Sequence, residues 1–105
     1  MFGKQKWVRA ANVEDFPKRT RFVHKRKEYA LFKLEDGVYC TQNSCSHEYS
    51  PLSDGEIYGE NVYCPKHGSR FNIKTGAVVD LPATAPIKTF PVKVEEDGEI
   101  YVRVK

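Results

Sequence analysis

Apolar and polar residues alternate with a period of two along most of this chain. The stretches "RFVHK" (21–25), "YALFKL" (29–34) and "VEEDGEIYVRV" (94–104) show it most plainly. A period of two places alternate side chains on opposite faces of a strand. The pattern predicts strands over roughly 5–10, 20–25, 28–34, 38–42, 56–58, 62–64, 70–73, 77–79, 87–94 and 99–104. Asp36-Gly37 and Asp97-Gly98 mark hairpin turns, and "GEN" (59–61) and "KTG" (74–76) mark further turns. No apolar period of 3.6 runs long enough for a full helix. "NVEDFPK" (12–18) suits one helical turn, with Asn12 as its N-cap and Pro17 as its stop. Many short strands imply an all-β antiparallel barrel or sandwich, read as one domain over residues 1–105. The middle, about 43–86, is different in kind. It is rich in Gly, Pro, Ser, Asn and His, and reads as loops carried on a β base formed by the two chain ends.

Composition narrows the function. A chain of 105 residues supports one modest core. No run approaches about 18 apolar residues, so no membrane-spanning helix is expected. The start, "MFGKQKWVRAANVEDF", lacks the apolar region of a secretory signal, so the expected location is the cytoplasm. Three cysteines leave any disulfide set incomplete, which points to metal ligands or core thiols. Net charge is +3, but Lys18, Arg19, Arg21, Lys25, Arg26 and Lys27 crowd one stretch. Such a cluster suits nucleic acid or an acidic protein. No nucleic-acid motif accompanies it, so the expectation is a solvated strand face and no nucleic-acid partner.

The chemistry lies in four residues: Cys45, His47, Cys64 and His67. They form C-x-H, sixteen intervening residues, then C-x-x-H. Each loop offers one thiolate and one imidazole. Pro65 fixes its own φ, and Gly68 permits close approach or a positive φ. Two metals fit. A single tetrahedral zinc accepts two sulfurs and two nitrogens, although the common finger order keeps its cysteines and histidines in separate pairs. A [2Fe–2S] cluster with two Cys on one iron and two His on the other fits the alternating order. Two loops clamping it would each give one ligand to each iron. No acid–base pair, activated nucleophile or phosphate loop accompanies these residues.

The stretch from about 38 to 90 resembles a Rieske [2Fe–2S] domain, most specifically in "CSH…CPKHGSRFNIKTG". The length resembles that of the small Rieske ferredoxins that serve ring-hydroxylating dioxygenases. The resemblance implies an antiparallel β base with a smaller cluster-binding subdomain of two hairpin loops, about 43–86. It implies that Cys45 and Cys64 bind the inner iron, and His47 and His67 the outer iron near the surface. It implies a third loop over the cluster, here "DLPATAP" (80–86). It also implies a one-electron carrier rather than an enzyme, monomeric, fed by a flavin-dependent ferredoxin reductase and discharging to a terminal non-haem iron oxygenase. The competing readings are the small Rieske subunit of a nitrite reductase-like enzyme and a structural zinc domain.

Neighbouring residues refine the redox expectation. With neutral imidazoles an oxidised cluster carries no net charge, so His ligation eases reduction, within a range of about −150 to +300 mV. Respiratory Rieske proteins add a loop disulfide, and a serine and a tyrosine that donate to sulfur. Ser50 and Lys66 stand at the disulfide positions here, Ser69 keeps the serine, and Phe71 replaces the tyrosine. Fewer donors predict a potential toward the lower end. Cys40, on the face of Val38, is expected to be a core thiol. His24 is expected at the surface, and Trp7, Tyr29, Phe32 and Tyr101 in packing. Arg70, Lys74, Glu48 and Glu56 are either docking charges or ordinary solvated ones.

Overall fold

A computed structural model describes residues 6–44, 50–66, 68–80 and 85–104. Among these the strands are β1 (Trp7–Asn12), β2 (Arg19–His24), β3 (Lys27–Leu34), β4 (Gly37–Gln42), β5 (Ile57–Tyr58), β6 (Asn61–Tyr63), β7 (Arg70–Asn72), β8 (Thr89–Phe90), β9 (Val92–Val94) and β10 (Glu99–Arg103). They form three antiparallel sheets, ordered β1-β10-β9, β2-β3-β4-β8 and β5-β6-β7. One 3-10 turn, Val13–Asp15, occupies the expected helical site. The Asn12 side chain accepts from the Glu14 N–H (2.9 Å), and the Asp15 carboxylate accepts from the Asn12 N–H (3.0 Å).

β3 explains the layering. Tyr29 and Leu31 point into one core, and Ala30 and Phe32 into another, as the two-residue period requires. The first core lies between the four-stranded sheet and the β1-β10-β9 sheet, and contains Ala11, Phe16, Cys40, Ile100 and Val102. The second lies between the opposite face and the small sheet, and contains Leu52, Val62, Cys64, Phe71, Ile73 and Ile87. The central sheet is therefore buried on both faces. Its β3 register, Leu31↔Cys40 and Phe32↔Tyr39 on β4, fixes which residue enters which core.

The structure departs from the sequence pattern at several points. The expected strand 87–94 is broken at Pro91, which has no N–H to continue a ladder. Before the proline, Phe90 pairs with Cys40 in the central sheet; after it, Val92 pairs with Val102 in the base sheet. One chain segment thus joins the two sheets. Residues 77–79 make only a single bridge, Phe71↔Val78, rather than a strand. A second 3-10 turn, Leu52–Asp54, was not expected. β1 carries a bulge between Arg9 and Ala11, so that both Ala10 and Ala11 reach the core, Ala11 the more deeply buried. Trp7 is 37 % exposed and lies outside both cores, packed across the base sheet beneath the cations of Lys93 and Arg103. His24 is half-buried rather than at the surface, and its Nε2 is enclosed with no hydrogen-bond partner.

Candidate metal centre

Of the four candidate ligands, the structure describes Cys64; Cys45, His47 and His67 lie outside the described residues. The frames that carry them are nonetheless visible on both sides. The first loop leaves β4 through Asn43 and Ser44 and returns at Ser50 and Pro51, and a bridge between Ser44 and Pro51 closes its neck. Asn43, 1 % exposed, clamps that neck. Its carbonyl accepts from the Leu52 N–H (2.7 Å), its side-chain oxygen accepts from the Ser53 N–H (2.8 Å), and its amide donates to Glu28 (3.1 Å). Sequence reasoning missed Asn43. The only signal was an amide side chain two residues before the first cysteine.

The second loop is a hairpin tip between β6 and β7. The Cys64 N–H donates to the Ser69 carbonyl (2.7 Å), and the Gly68 N–H donates back to the Cys64 carbonyl (2.9 Å). The second bond turns the chain at Gly68, whose φ of +79° suits glycine. The two feet, Cys64 and Ser69, are buried, whereas Pro65, Lys66 and Gly68 at the tip are exposed. Cys64 stands in the core of Leu52, Val62, Phe71 and Ile73. Phe71 itself is fully buried in that core.

Other residues singled out from sequence prove to be braces. Arg70 forms an ion pair with Asp80 and lies over the Tyr63 ring. That pair holds the start of the third loop, whose residues 81–84 are outside the description, against the strand leaving the second. The guanidinium bond lowers the Asp80 carboxyl below its ordinary range. Lys74 donates to Asp36 (2.6 Å) and pairs with Glu60 (3.1 Å), which raises its ammonium well above the ordinary lysine value. It ties the small sheet to the β3–β4 turn. Glu48 lies outside the described residues. Glu56 contributes its carbonyl to the Tyr63 N–H (2.9 Å). Cys40 is 1 % exposed in the other core, on the far side of the central sheet from Cys64, and burial raises its thiol pKa far above the ordinary value. It is a core thiol, as expected.

A thiol buried at the foot of a tightly closed loop, with an exposed tip that carries a histidine in the sequence, fits a soft, thiolate-plus-imidazole metal site. The arrangement defines a small β protein built to present a metal centre at one end. The family-level comparison resolves which one: the Rieske [2Fe-2S] domain family matches residues 6–91, and the chain belongs to it. Its cofactor is a Rieske-type [2Fe–2S] cluster, so the single-zinc alternative falls. Among relatives, the ferredoxin component of the naphthalene 1,2-dioxygenase/salicylate 5-hydroxylase systems of a Ralstonia species is 40% identical over 93 residues, covering 87% of this chain and 89% of that protein. The ferredoxin of carbazole 1,9a-dioxygenase from Nocardioides aromaticivorans superposes with a TM-score of 0.87 at 32% identity, covering 94% of this chain and 98% of that one. A chain from a complex of reduced oxygenase and oxidized ferredoxin in carbazole 1,9a-dioxygenase superposes at 0.86 with 32% identity, covering 95% and 94%. The all-β Rieske fold expected from the sequence is the fold observed. No helix among the described residues is long and apolar enough to cross a membrane.

Proposed function

We propose that the chain is a one-electron carrier of a ring-hydroxylating oxygenase system. Cys45, Cys64, His47 and His67 would hold the cluster, the two cysteines on one iron and the two histidines on the other; of the four, Cys64 is buried. When bound, the cluster supplies reversible uptake and release of a single electron. The chain's part is to hold and shield it. The core of Leu52, Val62, Phe71 and Ile73 excludes water from Cys64, and the Asn43 clamp and the Cys64–Ser69 bonds keep both loop necks closed. Rigid necks limit rearrangement when charge changes. Residues 43–86 act as the cluster-bearing unit of a single monomeric domain. The donor is a flavin-dependent reductase and the acceptor a terminal non-haem iron oxygenase. The observation that carries this reading is the buried foot and exposed tip of the 64–69 loop, in a chain similar over most of its length to dioxygenase ferredoxins.

The test is reconstitution. The purified, coloured protein is mixed with NADH, a flavoprotein reductase and a Rieske oxygenase, and substrate hydroxylation is followed with and without it. Dependence of turnover on the chain is the expected result, with a reduced-state EPR signal whose average g-value is that of mixed N/S ligation. Tight co-purification with a large nitrite-reducing subunit would overturn it. Phe71, buried and without a hydroxyl, predicts a midpoint near the −150 mV end of the Rieske range. A redox titration giving a value above about +100 mV contradicts that.

A further inference from the structure

The basic stretch 18–27 separates into two parts in the folded chain. Arg19 is tied to the cluster side, where its Nε donates to the Ser53 carbonyl (2.9 Å). Lys25, Arg26 and Lys27 instead stand exposed at the β2–β3 turn, and none of them joins an ion pair among the described residues. The turn has two residues: His24 pairs with Lys27, while Lys25 and Arg26 adopt φ of 50° and 70°. Asn-Gly suits such a turn, because a left-handed backbone strains most L-residues. Here it holds two long cations instead. A further lysine, Lys6, adjoins them, and its contact with Lys25 lowers its pKa below the ordinary lysine value. Strain and like-charge crowding are both tolerated at one spot, which points to use rather than stability.

This turn borders a groove of about 610 Å³. Arg26, Lys27 and Lys88 line it, together with the edge-on pair Tyr29–Phe90 (5.0 Å between ring centres) and Ser44, the residue before Cys45. The charge of the base is polarised along β10. Val104, just past one end of that strand, lines the groove, while Glu95, Glu96 and Asp97 gather at the other end, beyond Glu99, which is paired with Arg9, about 17 Å away for five residues of strand. Opposite charge at opposite ends orients an approaching partner.

We propose that this groove docks a carboxylate-rich segment of the protein that exchanges electrons with the cluster, with an apolar side chain of that segment against Tyr29 and Phe90. That the segment belongs to a redox partner rests on the electron-carrier reading; the groove itself does not. A peptide suits the groove better than a polyphosphate because Glu28 also lines it. Its carboxylate, held by the Asn43 amide (3.1 Å), disfavours an unbroken run of phosphates along the groove, whereas a peptide can alternate charged and uncharged residues.

The test uses the cluster-loaded full chain and a fluorescent peptide of Glu and Asp around one Phe, followed by anisotropy. Controls are the Gln/Asn version of the peptide, a short DNA duplex and phosphatidylserine-containing vesicles. The acidic peptide is expected to bind, and to weaken about tenfold from low to physiological salt. The double substitution Lys25→Asn with Arg26→Gly is expected to weaken it about tenfold as well, while raising the thermal midpoint by about 4–8 °C through relief of the turn. A variant that folds better yet binds worse cannot owe the loss to unfolding. Its visible absorption stays unchanged, and electron delivery to the oxygenase falls in parallel with peptide affinity. Undiminished peptide binding by the double variant, or preference of the wild-type chain for DNA or vesicles, overturns the proposal. Failure of the carrier reading would show separately, as oxygenase turnover that does not depend on the wild-type chain while the acidic peptide still binds.

Discussion

Gly55 stands where the 3-10 turn Leu52–Asp54 meets the strand that delivers Cys64. Its backbone is ordinary, with φ of −80°, so its lack of a side chain is a matter of space. A Cβ built there falls 2.1 Å from the Tyr63 carbonyl oxygen, 3.0 Å from a Val62 methyl and 3.2 Å from the Leu52 carbonyl. Gly55→Ala therefore forces the turn and β6 apart by about 1 Å, because carbon and oxygen do not approach so closely. One hydrogen bond spans that gap, Tyr63 N–H to the Glu56 carbonyl, and a second, Gly55 N–H to the Leu52 carbonyl, closes the turn that would be displaced, both 2.9 Å. Each contributes about 1 kcal/mol, and loosened packing of Leu52 and Val62 adds a similar amount, for a total of roughly 2–4 kcal/mol. The thermal midpoint should fall by about 10–30 °C. Gly59→Ala is the control. Gly59 has φ of +60° with nothing within 4 Å of its Cβ, so only the left-handed backbone is penalised, about 1 kcal/mol after the gain from a stiffer unfolded chain. Urea titration of the two loaded variants, read by circular dichroism and by cluster absorbance, separates the effects. Gly55→Ala should release the cluster at lower urea than Gly59→Ala. Equal midpoints would show that β6 yields without cost and that crowding at Gly55 does not hold Cys64.

Three further outcomes follow from the two cores. Cys64→Ser should abolish the visible chromophore and lose amide-exchange protection around Val62 and Phe71 while keeping it at Ile100 and Val102; collapse of both cores together contradicts that. Cys40, by contrast, should resist thiol reagents in the folded chain. Its burial raises the folded thiol pKa above the unfolded value of about 8.5, so its contribution is intact below that pH and is lost as pH rises past it and the unfolded thiol ionises. Stability that is flat between about pH 8 and 10 would refute this. At the acid end, Lys74, Arg70 and Arg9 lower the pKa values of Asp36, Asp80 and Glu99 respectively. These carboxylates stabilise the fold above their unfolded values near 4, and the effect is lost as pH falls through the depressed folded values. All are at least partly solvent-exposed pairs, so the loss should be small and weaker still in high salt; an acid transition insensitive to salt would assign it elsewhere.

Much of the fold is legible because short-range chemistry decides it. Asp36-Gly37 and Asp97-Gly98 mark turns whose geometry few other residues accept, and the alternation in 29–34 and 99–103 survives into two buried faces. The Asn12 cap is equally local. What was not legible depends on partners distant in sequence. Pro91 sits inside an apolar run, and only the competing pulls of Cys40 on one side and Val102 on the other turn that run into two strands. Leu52–Asp54 has no cap or period, and is held by Asn43 from across the loop neck. The turn at Lys25-Arg26 has no glycine to announce it. At the centre, the ligand spacing carried the chemistry in its pattern of residue types, whereas the roles of Arg70 and Lys74 as braces required Asp80, Asp36 and Glu60 to be seen beside them.

The central sheet is covered on both faces, and that has a bearing on how the protein matures. One cover is built from residues remote from Cys64 and the other is the core that contains it, so only the first can assemble without regard to iron. Loading and loss of the cluster would then be felt on one side of the sheet while the other side stands as a scaffold for refilling.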